Sequence, residues 1–129
     1  MENAFIIQGG KKLGGEITLS GAKNASLKLI IASLLFDGQK VVLENVPKIN
    51  DVLELIHLIN LMGGEAKFIE TNVLEIDPST LKTNRVDMLH GSKIRVSFMF
   101  FAPLLYKFGQ CYIPNPGGCR IGARPIDRV

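Results

Sequence analysis

At 129 residues the chain is long enough for one domain of ordinary size, and 47% hydrophobic against 21% charged residues excludes a disordered polymer. A net charge of +3, with acids and bases interspersed and no stacking aromatics among the bases, argues against a nucleic-acid surface and is compatible with a small anionic ligand. Two cysteines are too few for a structural zinc site or a disulfide framework, and the apolar runs 29–36 and 96–105 are too short to span a bilayer.

The acidic opening Met1-Glu2-Asn3 has no signal-peptide character, so a soluble, cytoplasmic protein is expected. Residues 4–7 form a short apolar strand stopped by Gly9 and Gly10, and 16–20 are strand-like. Gly9-Gly10-Lys11-Lys12 lacks the spacing and the following Ser/Thr of a phosphate loop, so a hairpin turn is the better reading. A helix is predicted over 23–36, apolar nearly all round and therefore buried on most sides. Its polar start (Ser20, Gly21, Lys23, Asn24, Ser26) is either an anion site of free backbone N–H groups with a lysine beside them or a plain capping arrangement.

Residues 39–44 read as a strand, Asn45-Val46-Pro47 as a turn, and Asn50 as the cap of a second helix over 51–62. That helix is amphipathic, with Glu54, His57 and Asn60 on a wet stripe and Val52, Leu55, Ile56, Ile59 and Met62 opposite. His57, on the wet side, is not read as a ligand. Gly63-Gly64 ends the helix, and 66–69 with 73–76 form a hairpin closed by Asp77-Pro78. Residues 80–90 have no usable period. Gly91 and Ser92 open a third helix over 93–106, with a kink expected at Pro103. Arg95 in its first turn opposes the helix dipole unless an anion is near; it leans over a substrate or points to water. Cys111, in an apolar strand-like run, reads as a small buried hydrophobe.

An internal repeat emerges at an offset of 70 residues, where Gly21, Lys23, Ala32, Leu34 and Leu35 meet Gly91, Lys93, Ala102, Leu104 and Leu105. After one inserted residue Gly38-Gln39 meets Gly109-Gln110. The second copy breaks off at Val129, before its second helix, so the chain is expected to stop in mid-fold.

Residues 114–127 read P-N-P-G-G-C-R-I-G-A-R-P-I-D, which suits neither a helix interior nor a central strand. Such a long loop tilts toward function. Cys119 lies beside Arg120 and near Arg124, and guanidinium groups favour thiolate over thiol; glycine amides and arginine forks also suit a phosphate. The plain alternative is a surface loop with an incidental thiol.

G-A-K-N-A (21–25), N-V-P (45–47) and P-G-G-C-R-I-G-A-R-P-I-D (116–127) closely resemble the N-terminal part of the UDP-N-acetylglucosamine enolpyruvyl transferases, in the EPSP synthase-like family. The resemblance runs over the whole chain in order. It implies an α/β fold, the inside-out α/β barrel of βαβαββ-type repeats, incomplete here. Residues 1–20 would be strands belonging with the C-terminal domain, and 21–129 the first repeat and part of the second. The implied reaction moves the enolpyruvyl group of phosphoenolpyruvate onto UDP-N-acetylglucosamine with release of phosphate, opening peptidoglycan synthesis. The resemblance makes Cys119 the general acid, also able to form an adduct with phosphoenolpyruvate and sensitive to fosfomycin. It puts Lys23 and Asn24 at phosphoenolpyruvate, and Arg95 with Arg124, Pro125, Ile126, Asp127 and Arg128 at the nucleotide sugar, Arg124 also near the phosphate. The tail departs at Arg128, where the family usually has leucine. No cofactor, metal, nucleic acid or membrane is implied. The partner implied is the missing C-terminal half, and the piece alone is expected to be inactive. The alternatives are a non-catalytic nucleotide-sugar-binding remnant and one half of a split enzyme.

Overall fold

The amphipathic segment becomes helix α2, Asn50–Leu61, whose apolar side lies in the core. The computed structural model describes residues 3–117, 122, 125 and 126. Before α2 come helix α1 (Lys23–Ser33) and strand β1 (Val41–Leu43); after it come β2 (Glu65–Glu70) and β3 (Val73–Asp77). A short helix α3 (Met88–Gly91), a 3-10 helix (Arg95–Phe100) and helix α4 (Phe101–Phe108) complete the order.

Helix α2 buries Val52, Leu55, Ile56, Leu58 and Ile59, and His57 and Asn60 stay exposed, as the 3.6-residue period requires; Glu54, expected on the same wet stripe, is instead largely covered because it meets His90. Its start differs from expectation. Asn50 is the first helical residue and the cap position falls to Ile49, without a side-chain cap bond. At the other end Gly63 takes φ 92°, and the amides of Gly63 and Gly64 turn back to the carbonyls of Asn60 and Ile59. Asn60 then meets edge strand β2: its amide donates to Ala66 O at 3.1 Å and its Oδ1 accepts from Ala66 N at 2.8 Å.

The hairpin forms as expected, and β3 lies between β1 and β2, antiparallel to both. Val41 and Ala66 both face Ile76, and the buried Leu74 and Ile76 of β3 explain its central place. Asn72 turns the hairpin at φ 59°, a left-handed conformation asparagine tolerates.

Other expectations are corrected. Residues 3–20 form no strand or hairpin; among the described residues they find no backbone hydrogen-bond partner, and they expose Phe5, Ile6, Ile7, Ile17 and Leu19, since a lone strand has no ladder to join. Helix α1 is covered on one side only, through Leu27, Ile30 and Ile31, leaving Leu29 54% exposed. The predicted third helix is a 3-10 segment passing into α4. Pro103 stands in the first turn of α4, where a missing N–H costs no bond, so it causes no late kink. Cys111 is half-buried, and the strand expected there shrinks to one parallel bridge between Arg85 and Tyr112.

Past α1, Asp37 accepts from Tyr106 Oη at 3.0 Å and pairs with Lys107 at 3.3 Å, tying the first repeat to α4. The tyrosine hydrogen bond, then the lysine, hold the Asp37 carboxyl below its ordinary range. A depressed folded pKa gives stability that is present above the unfolded value, about 3.9, and lost as pH falls through the folded one. The melting difference between the native chain and Asp37→Asn should therefore be small and positive at pH 6 and vanish by about pH 2, following that window. A difference that persists unchanged to pH 2 would exclude this carboxylate as its source.

Candidate functional site

The start of α1 is the first component. Its cap residue, Ala22, offers no side-chain acceptor, and the first amide to reach a carbonyl is that of Ser26, bonded to Ala22 O at 3.0 Å. The amides of the first turn therefore point outward at the positive end of the helix dipole. Both Lys23 and Asn24 are exposed there. Capping by a side chain, the plain reading of this polar cluster, is absent. Lys23 Nζ meets Asp51 Oδ2 at 3.1 Å, across from the first turn of α2. With both side chains 40–49% exposed, this pair is a weak, exchangeable tie rather than a structural lock. The start of α1 thus brings together first-turn amides, an ammonium and, beside it, a carboxylate.

Close backbone approach sets this corner. A Cβ on Gly21 would lie 1.7 Å from Asn45 O and 3.1 Å from Pro47 Cδ. The Asn45-Val46-Pro47 turn is held there by Val46 N donating to Asn72 O at 2.8 Å, with Asn45 at φ 56°. The second repeat uses the same device, since a Cβ on Gly117 would lie 1.7 Å from Ser92 O. In both copies the segment entering the helix touches the segment leaving the following strand, so the repeat is one of contact as well as sequence.

Arg95, the second component, is half-buried at the start of the 3-10 helix. Its neighbours Ile94 and Ser97 are buried, and the Ser97 hydroxyl lies within donating distance of Gly91 O (2.5 Å) and Ile94 O (2.9 Å). Asp87 caps α3 by accepting from His90 N at 2.9 Å. The segment carrying Arg95 is thus ordered internally by its own polar groups.

Of the other predicted site residues, Pro125 is exposed and Ile126 half-buried. Cys119, Arg124, Asp127 and Arg128 lie outside the described residues. Sequence reasoning missed Asp51 and His90. An acid in a helix's first turn is explained by the dipole alone, so nothing marked Asp51 as a partner for a lysine 28 residues away. His90 sat in a segment without period, yet its Nδ1 lies 2.5 Å from Glu54 Oε1, and its ring meets that of His57 edge-on at 4.4 Å. Two shallow hollows of the described surface, about 270 Å³ beside Arg85 and Asp87 and about 370 Å³ beside Lys48 and Phe68, include neither Lys23 nor Arg95. Among the described residues no helix is long and apolar enough to cross a membrane.

The family model for EPSP synthase (3-phosphoshikimate 1-carboxyvinyltransferase) matches residues 7–129. A UDP-N-acetylglucosamine 1-carboxyvinyltransferase 2 of Streptococcus thermophilus is 47% identical over 123 residues, 95% of this chain and 29% of that protein. UDP-N-acetylglucosamine 1-carboxyvinyltransferases of Dichelobacter nodosus and Gloeobacter violaceus are 42% and 43% identical, over 29% and 26% of their lengths. The chain therefore spans less than a third of these relatives. Among solved structures, the enolpyruvyl transferase NikO from Streptomyces tendae superposes with a TM-score of 0.70 at 22% identity, over 78% of this chain and 23% of that one. That likeness shows the fold, a part of the enolpyruvyl transferase α/β architecture.

Proposed function

We infer that this chain, which belongs to the EPSP synthase family, supplies the N-terminal part of a UDP-N-acetylglucosamine enolpyruvyl transferase. The observation that carries the reading is the 47% identity over 95% of the chain to a relative of that name. In the proposed reaction a hydroxyl of the nucleotide sugar adds to C2 of phosphoenolpyruvate while C3 takes a proton. C3 then returns a proton, the C2–O bond to phosphate breaks, and an enol ether and inorganic phosphate leave. This is the entry step to peptidoglycan, hence to cell shape and division, and phosphoenolpyruvate places it in the cytoplasm.

The outward amides and ammonium at the start of α1 support assigning Lys23 and Asn24 to phosphoenolpyruvate, by stabilising charge on its carboxylate and phosphate. Arg95 and residues 124–128 are assigned to the nucleotide sugar, Arg124 also to the phosphate, and Cys119 to protonation of C3. Residues 1–20 are assigned to pairing with a C-terminal domain, which agrees with their exposed apolar side chains. Residues 21–129 then hold the first repeat and part of the second.

Two measurements test this. Titration of the chain with phosphoenolpyruvate should show a dissociation constant raised about tenfold or more by Lys23→Ala, the usual loss for one charge-assisted hydrogen bond. Equal affinities would remove Lys23 from the site. Mixed with phosphoenolpyruvate and UDP-N-acetylglucosamine, the 129-residue chain alone should release no phosphate, because most of the relatives' length is not in it. Turnover on a par with a full-length relative would overturn the assignment of this chain as a part.

A further inference from the structure

Helix α2 carries two carboxylates one turn apart, and each reaches a different repeat. Asp51 holds Lys23, and Glu54 meets His90 Nδ1 at 2.5 Å and Lys93 Nζ at 3.8 Å. Lys23 and Lys93 are repeat counterparts, so α2 spans the two helix entries that carry the proposed substrate contacts. We propose that Glu54 is a positioning residue for the nucleotide-sugar site: it pins the turn before Arg95 onto α2 and so fixes Arg95 relative to the start of α1. The proposal rests on the reading that Arg95 meets the nucleotide sugar.

The hydrogen-bond assignment follows from chemistry. A carboxylate only accepts, so His90 must carry its proton on Nδ1. That nitrogen then cannot accept from Lys93, whose Nζ lies 3.3 Å away, so among the described residues the lysine is held by the carboxylate. Glu54 and His90 are each about three-quarters buried, which shields the bond from water and salt. Four-residue α3 cannot hold its place by its own backbone bonds. The Asp87 cap and the Ser97 hydroxyl order the segment internally, and Glu54 joins it to α2, the helix that also carries Asp51.

The test uses Glu54→Ala and Glu54→Gln in the chain, read by amide hydrogen exchange and by separate titrations with UDP-N-acetylglucosamine and phosphoenolpyruvate. In Glu54→Ala, exchange at residues 90–97 should quicken about tenfold or more while α1 and the hairpin keep theirs. Nucleotide-sugar affinity should fall about five- to tenfold with phosphoenolpyruvate affinity unchanged, the coupling range of one lost anchoring contact. Glutamine still offers an oxygen to His90 Nδ1–H and should restore most of both losses. Unchanged exchange in Glu54→Ala, equal losses for both ligands, or no rescue by glutamine would each overturn the clamp. If exchange responds as expected but the unsubstituted chain binds no nucleotide sugar, the functional reading fails and the positioning role falls with it, although the Glu54–His90 bond stands.

Discussion

Gly21→Ala should lower the melting temperature by about 10 °C or more, the response of a domain this size to a loss of about 3 kcal/mol. The added Cβ would sit 1.7 Å from Asn45 O and 2.9 Å from Asn45 C, where real Cβ contacts essentially never fall below 3.0 Å. No rotamer change relieves this, because both opposing atoms are backbone. Asn45 is held at φ 56° and its neighbour Val46 donates to Asn72 O, so the turn cannot retreat without losing its hairpin bond. Either that turn or the start of α1 must shift by about an ångström or more, an overpacking strain at the upper end of the usual range. Since Lys23 and the outward amides begin two residues later, phosphoenolpyruvate binding should weaken in the same variant. Gly14→Ala is the matched control: nothing lies within 4 Å of its Cβ position, and its melting should stay within about 2 °C of the native chain. A Gly21→Ala protein melting like that control would refute the close approach that joins the two segments.

The second large effect is expected in the core. Phe100→Ala should remove about 3–5 kcal/mol of unfolding free energy, measured by urea titration. Phe100 is fully buried, in one cluster with Ile30, Leu34, Leu58 and Leu104, and it ends the 3-10 helix where α4 begins. Helix α1 packs on that 3-10 helix, so the joint ties the two repeats together. A cavity at a joint between differently wound helices collapses poorly, which favours the high end of the range. Domains carry only about 5–15 kcal/mol in total, so the variant should be largely unfolded at moderate urea. Phe100→Leu, closer in volume, should cost about 1–1.5 kcal/mol. A Phe100→Ala loss below about 1 kcal/mol would mean that the joint does not depend on this ring.

Much of the fold was legible because it depends on local period and punctuation. The wet and dry faces of α2, its glycine stop, and the hairpin from Glu65 to Asp77 all follow from residues within one element or one turn. The repeat was legible too, since Gly21, Lys23, Leu34 and Leu35 recur 70 residues on as Gly91, Lys93, Leu104 and Leu105. Where local reasoning failed, the missing quantity was a partner. Residues 3–20 have strand-like composition, but a strand exists only when another supplies its hydrogen bonds, and none among the described residues does. The apolar girth of α1 likewise promised burial that depends on what stands on each side of it.

The site divides in the same way. Sequence alone determined the family, through the G-A-K-N-A and cysteine-loop runs, and it offered the start of α1 as either an anion site or a plain cap, because helix amides, a lysine and capping side chains are properties of adjacent residues. Only the tertiary structure decided that Asp51 faces Lys23, that Glu54 faces His90, and that Gly21 and Gly117 each press against a distant carbonyl. Those pairs lie 24 to 36 residues apart in the chain or close on backbone atoms every residue shares. A contact of that kind is set by how distant segments pack together, and residue types within one segment carry no record of it.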